Sequence, residues 1–240
     1  MFYAIAMRAV NLLWHIWFRL QINGRENEPD QGGYILASNH CSAIDPMIVC
    51  QGVRKTYIHF MAKAELFDIP VLKHVIRWLK AFPVSRGSGD MSAIETAKQV
   101  IRDKEVLGLF PEGTRSKDGQ LLRFKSGLAL IAQQTGAPVL PVTITYCDPK
   151  KSFRSRVVVN YGKLVTCEEL GIQPAENADT ADLTHARQLK EATRTLHGIM
   201  EELKNFNIAA RKKKDQVIFL RKIVPGGADQ SYGIEVAGLA

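Results

Sequence analysis

Between Tyr34 and Leu203 the sequence alternates short apolar runs with longer segments of helical period, and that alternation admits few folds. After the Gly32-Gly33 turn, Tyr34 to Ala37 reads as a buried strand, and Asp45-Pro46 opens a helix reaching about Cys50. Further strands are predicted at Tyr57 to Met61, Phe82 to Val84, Val106 to Phe110, Val139 to Thr145 and Val157 to Asn160. Helices are predicted over Glu65 to Leu79, Asp90 to Arg102, Ser126 to Gln134 and about Asp182 to Leu203. Strands that take turns with helices predict an α/β fold, a largely parallel or mixed sheet flanked by helices on both faces. Ligands bind such sheets beyond the carboxyl ends of the strands. His40, Arg86 and the run Pro111 to Ser116 each follow a predicted strand, so separate loops are expected to converge on one cleft.

A chain of 240 residues with 46% hydrophobic composition can bury one ordinary core, which fits a single domain with appendages. The four cysteines, Cys41, Cys50, Cys147 and Cys167, have neither zinc-site spacing nor the density of a disulfide scaffold, as in a reducing cytosol. No cluster suggests a metal. The net charge of +8 favours an anionic partner without separating nucleic acid, anionic lipid and phosphorylated substrates.

No run approaches the roughly 20 apolar residues that span a bilayer as a helix. In the first segment, Arg8, Asn11, His15 and Arg19 recur at spacings of three and four, one narrow polar stripe on a helix. Phe2, Ile5, Leu12, Leu13, Trp14, Ile16, Trp17 and Phe18 fill the remaining surface, which suits a helix lying in a membrane interface; a helix packed on its own domain fits the same pattern. A cleaved signal peptide does not fit, because no basic residue precedes the apolar part and no small-residue cleavage site follows it.

Two stretches carry chemistry. In Ser38-Asn39-His40-Cys41-Ser42-Ala43-Ile44-Asp45, a tight turn would let Asp45 accept a hydrogen bond from one imidazole nitrogen of His40, leaving the other free to take a proton from a hydroxyl. The bland reading is that Asp45, directly before Pro46, caps a helix. In Phe110-Pro111-Glu112-Gly113-Thr114-Arg115-Ser116, Gly113 admits close backbone approach, Thr114 and Ser116 offer hydroxyls, and Arg115 can hold a phosphate through two parallel hydrogen bonds. A surface turn with a Glu112 to Arg115 ion pair is the alternative. Arg123, Lys125 and Arg86 add positive charge.

Together with Phe82-Pro83-Val84-Ser85-Arg86 and Val139-Leu140-Pro141-Val142, these blocks stand in the order and approximate spacing of a known family. Over roughly residues 10 to 203 the chain resembles the 1-acylglycerol-3-phosphate acyltransferases of the PlsC type. The resemblance implies an O-acyltransferase without a cofactor or metal, moving an acyl group from acyl-CoA or an acyl-carrier protein to the sn-2 hydroxyl of a lysophospholipid and giving phosphatidate. It implies His40 and Asp45 as general base, no acyl-enzyme intermediate, Arg86, Glu112, Gly113, Thr114 and Arg115 around the acceptor's phosphate and glycerol, and Pro141 near the acyl side. It also implies an enzyme on the cytoplasmic face of the cell membrane, peripheral or monotopic, with no nucleic-acid partner. The second block departs from the family pattern at Lys80, where a glycine is frequent. A hydrolase using water as acceptor and a basic nucleic-acid-binding module are the competing classes.

From Lys204 onward the composition changes, and Asn205 to Ala210 followed by Val217 to Gly233 resembles a piece of the ATPase domain of the mismatch-repair protein MutS over about residues 204 to 240, though the chain has no Gly-x4-Gly-Lys-Ser/Thr phosphate loop. The expected division is 1–24 as interfacial helix, 25–203 as acyltransferase domain and 204–240 as a fused, rearranged or artefactual fragment, disordered or loosely docked. That tail carries seven basic and three acidic residues, +4 of the +8, so half of the net charge says nothing about the enzyme.

Overall fold

The computed structural model describes residues 12–85, 90–148, 150–175, 183–205, 209–213 and 216–220. Residues 12–17 are helical (α1). There follow β1 (Arg19–Asn23), β2 (Tyr34–Ser38), α2 (Asp45–Val49), β3 (Ile58–Lys63), α3 (Leu72–Trp78), β4 (Phe82–Val84) and α4 (Met91–Arg102). The chain continues through β5 (Val106–Leu109), α5 (Gly127–Thr135), β6 (Val139–Tyr146), β7 (Arg156–Tyr161) and α6 (Leu183–Asn205). Among the described residues, one seven-stranded sheet has the order β1-β7-β6-β2-β5-β3-β4. Every neighbouring pair is parallel except β6 with β7, so the sheet is mixed.

Alternation along each strand sends side chains to two separate cores. Ile35 and Ala37 of β2 face the side covered by α4, α5 and α6, where Ala97, Leu128, Ala132, Leu196 and Met200 are buried. Tyr34 and Leu36 face the opposite side, packed with Phe18, Ile48, Val49, Val142 and Val159. Helices therefore cover the sheet on both faces, as the alternating pattern predicts. Asp90 starts α4 by accepting a hydrogen bond from the Ala93 N–H at 3.1 Å, an N-cap that satisfies one of the helix's free donors.

Two expectations are corrected. The helix expected over Glu65 to Leu79 is a 3-10 turn, Ala64–Phe67, followed by α3. Pro70 has no N–H to continue the helical ladder, and Val71 takes a φ of 67° at the break. The helix expected over residues 1–24 gives way to β1 at Arg19; its first 11 positions, including Phe2, Ile5, Arg8 and Asn11, lie outside the described residues. Phe18 explains the change. Its N–H closes the last turn on Trp14 O at 2.8 Å, its ring is buried beneath the sheet, and the next N–H, from Arg19, donates to Ser155 O as β1 joins β7.

Ala209–Lys213 and Gln216–Leu220, β8 and β9, pair with each other in an antiparallel ribbon separate from the larger sheet. α6, by contrast, supplies Leu189, Ala192, Leu196 and Met200 to the core. Removal of residues 206–240 is expected to leave the thermal transition in place, while Leu196→Ala is expected to cost about 2–5 kcal/mol through the cavity it leaves. Thermal and denaturant melts of the two variants check both outcomes.

Candidate active site

β2, β5 and β6 are parallel neighbours, so their carboxyl ends lie on one edge of the sheet. His40 follows β2 by two residues, Phe110 to Ser116 follow β5, and Tyr146 ends β6. Just past Ser38 the Asn39 side chain continues the strand pairing. Its Oδ1 accepts from the Ile144 N–H at 2.7 Å and its Nδ2 donates to Ile144 O at 3.0 Å. This anchors the backbone from which His40 projects.

Asp45 is fully buried, and its carboxylate turns back over the preceding loop. Oδ2 accepts from the Cys41 and Ser42 N–H groups at 2.5 and 2.6 Å and lies 2.8 Å from His40 Nδ1, while Oδ1 accepts from the Tyr146 hydroxyl at 2.6 Å. Ile44 occupies the N-cap of α2 without a side-chain cap bond, so Asp45 serves the loop and not the helix end. A carboxylate on Nδ1 holds the proton there and leaves Nε2 as the basic nitrogen. The His40 side chain is 15% exposed and Nε2 has no hydrogen-bond partner among the described residues.

The imidazole is also held by stacking. Its ring lies 4.2 Å from that of Phe110, which stacks on Phe60 at 5.7 Å. Gly108 makes room for this pile, because a Cβ there would stand 2.5 Å from the Phe60 ring. Gly108 lies inside the strand expected at Val106 to Phe110, and its absent side chain helps set the angle of the histidine ring.

The loop after β5 bonds to His40 on both sides of its backbone. The His40 N–H donates to Glu112 Oε1 at 3.1 Å, and the Ser116 N–H donates to His40 O at 2.7 Å. Arg115, directly before Ser116, therefore belongs to the same edge as the dyad, and it is exposed, as is Thr114. Gly113 turns with φ +67°, and a Cβ would come within 2.9 Å of the Lys125 side chain. Glycine fits both constraints. Arg86 lies outside the described residues. Pro141 and its neighbours are buried in β6, at the centre of the sheet. Lys80 has φ 62°, a backbone setting that favours glycine, at the position where the resemblance leads one to expect that residue.

Burial pushes the Glu112 carboxyl up to about 7, against the opposing pull of the His40 and Leu122 N–H groups; its Oε2 is buried without a partner. Burial, then the nearby Asp45 charge, pushes the Cys41 thiol up, which disfavours a thiolate nucleophile beside His40. Among the described residues no group of three or more His, Cys, Asp or Glu could hold a metal ion, and no helix is long and apolar enough to cross a membrane.

The acyltransferase family's sequence profile matches residues 19–145, a stretch that contains the dyad and the loop after β5. The chain belongs to the acyltransferase family. It is similar to the 1-acyl-sn-glycerol-3-phosphate acyltransferase of Bacillus subtilis, at 29% identity over 203 residues that cover 85% of this chain and 97% of the relative. Its fold is similar to the crystal structure of PlsC, the 1-acyl-sn-glycerophosphate acyltransferase of Thermotoga maritima, with a TM-score of 0.59 and 25% identity over 84% of this chain and 82% of that one. A separate likeness is to the DNA mismatch repair protein MutS of Clostridium beijerinckii, 56% identical over 57 residues, 24% of this acyltransferase and 6% of that protein. A 57-residue stretch is longer than 204–240, so a continuous likeness that includes the tail also reaches back into α6.

Sequence reasoning named His40, Asp45, Glu112, Gly113, Thr114 and Arg115 but did not find Tyr146, which lies 101 positions from its partner Asp45. Only the β6 register brings that hydroxyl to the carboxylate, and no local spacing encodes it. Glu112 generates a stability prediction. Its proton affinity is higher folded than unfolded, so the protonated folded state is favoured at low pH. Its contribution is greatest below about 4.5 and falls as pH rises through about 7. Denaturant unfolding across that interval is expected to show the decline, on the order of 1–3 kcal/mol, and Glu112→Gln is expected to flatten it.

Proposed function

We propose that this acyltransferase moves an acyl group from a thioester donor, acyl-CoA or an acyl-carrier protein, to the sn-2 hydroxyl of 1-acylglycerol-3-phosphate, giving phosphatidate. The observation that carries the reading is the 2.8 Å contact of His40 Nδ1 with buried Asp45, with Nε2 unbonded among the described residues beside the loop that bears Arg115. The acceptor hydroxyl gives its proton to Nε2 as its oxygen attacks the thioester carbonyl. The tetrahedral intermediate then collapses, the C–S bond breaks, and the imidazolium returns the proton to the leaving thiolate. No covalent enzyme intermediate is needed, and proton abstraction by such a base contributes about 10² to 10⁴ in rate. Holding the acceptor close to Nε2 supplies much of the remainder.

Arg115, Thr114 and the Gly113 backbone, together with Arg86, bind the phosphate and glycerol in this reading. Glu112 contributes by holding the His40 backbone beside the acceptor. The enzyme works at the cytoplasmic face of the membrane, where its lipid acceptor resides. Support comes from the apolar side chains left exposed near the chain's start, Leu12, Leu13, Ile16 and Trp17, joined by Phe153, whose ring meets Trp17 edge-on at 5.6 Å. Apolar side chains flanked by the exposed basic Lys150 and Arg154 match an anionic lipid surface.

Purified protein given labelled acyl-CoA or acyl-carrier protein and a panel of lysolipids is expected to acylate lysophosphatidate; release of free fatty acid without dependence on acceptor would instead indicate a hydrolase. His40→Ala is expected to abolish transfer with the fold intact by circular dichroism, and near-normal turnover refutes the base assignment. Arg115→Ala is expected to raise the acceptor KM about tenfold, the worth of one charge-assisted contact, and an unchanged KM removes Arg115 from the phosphate site. Changing Leu13, Trp17 and Phe153 together to Ser is expected to weaken co-sedimentation with phosphatidylglycerol vesicles; undiminished sedimentation places the membrane contact elsewhere.

A further inference from the structure

We infer that Tyr146 is a positioning residue of the acyl-transfer site, a third member that holds Asp45 aimed at His40. The inference rests on the general-base reading above and extends it to a residue outside both sequence blocks.

Geometry carries the argument. The Tyr146 hydroxyl donates to Asp45 Oδ1 at 2.6 Å, while His40 and the Cys41 and Ser42 N–H groups use Oδ2. Each carboxylate oxygen is thus fixed from a different element, Oδ2 from the loop after β2 and Oδ1 from the last residue of β6. Two fixed oxygens define the carboxylate plane, so the angle at which Oδ2 meets the imidazole is set from β6. The tyrosine is itself immobilised. Phe18 meets its ring edge-on at 6.3 Å, and Lys151 Nζ sits 4.5 Å over the ring while donating to Cys41 O at 2.6 Å. Burial and the facing Asp45 charge push the Tyr146 hydroxyl far up, so it remains a donor across the working range of the enzyme.

The titratable and charged groups that surround the dyad are Cys41 on its own loop, Glu112 after β5, Tyr146 on β6, Lys151 after β6 and Lys204 at the end of α6. With the phenol gone, the carboxylate loses one of the two anchors that orient it.

The test is Tyr146→Phe, which keeps the ring that packs on Phe18 and removes only the hydroxyl. kcat and KM are measured against pH with lysophosphatidate in mixed vesicles, alongside the melting temperature. The expected result is a kcat lower by about tenfold near neutral pH, the loss of one hydrogen bond to a charged group. The acceptor KM is expected to stay unchanged, because Tyr146 orients the base without meeting the acceptor. An unaltered kcat, or a loss shared by kcat and KM, overturns the proposal and leaves Tyr146 a packing residue. Turnover by His40→Ala would bring down the base reading itself, whereas an inert His40→Ala beside an unaltered Tyr146→Phe brings down only the role of Tyr146.

Discussion

A single buried carboxylate organises this end of the molecule. Asp45 has no exposed surface, and a charge so placed is tolerated only when its lone pairs are met. Four donors meet them: two backbone N–H groups, an imidazole and a phenol. Hydrogen bonds to a charged group contribute about 1.5–3 kcal/mol each, so the set can offset the desolvation of one carboxylate. The same bonds dictate the local fold. The loop after β2 must curl so that residues 41 and 42 present their N–H groups, and β6 must extend to Tyr146 for its hydroxyl to arrive. The aim of the carboxylate at His40 and the burial of its charge are one requirement.

The second fixed part is the loop after β5, which is joined to His40 through backbone groups and not through ion pairs. Backbone contacts hold position whatever the exposed side chains do, so Thr114 and Arg115 remain exposed while the loop that carries them stays in register with His40. Gly108, Phe60 and Phe110 add a steric wedge that sets the ring of His40 from beneath. Without that wedge the histidine would keep only its bond to Asp45 to set its angle. Rigidity around one ring thus explains three residues that a list of polar groups overlooks.

The end of the chain shows how a structural role and a sequence likeness can diverge. α6 places Leu189, Ala192, Leu196 and Met200 in the core, and Lys204 at its end donates to Gly119 O in the loop region downstream of Arg115. By packing, this helix belongs to the acyltransferase. By sequence, a continuous MutS likeness of 57 residues that includes the tail enters it. An amphipathic helix needs only an apolar stripe of the right period to cover a sheet, so a helix of either ancestry could serve.

Local pattern alone determined much of this protein. The period of the apolar residues was enough for the α/β class and most strand positions, because side-chain direction alternates in a strand whatever surrounds it. The five-residue interval from His40 to Asp45 and the Glu112 to Ser116 run were legible because each is closed by a short turn. Other features were invisible there. The break at Pro70 and the start of β1 at Arg19 were hidden inside apolar periods that fit a helix equally well, and only pairing with β7 decided the second. The grip of Tyr146 on Asp45, the double bond of Asn39 to Ile144 and the pile of Phe60 and Phe110 under His40 depend on strand register between distant segments. Register is settled by which faces of all the strands can be buried together, a property of the assembled sheet that no single stretch of chain contains.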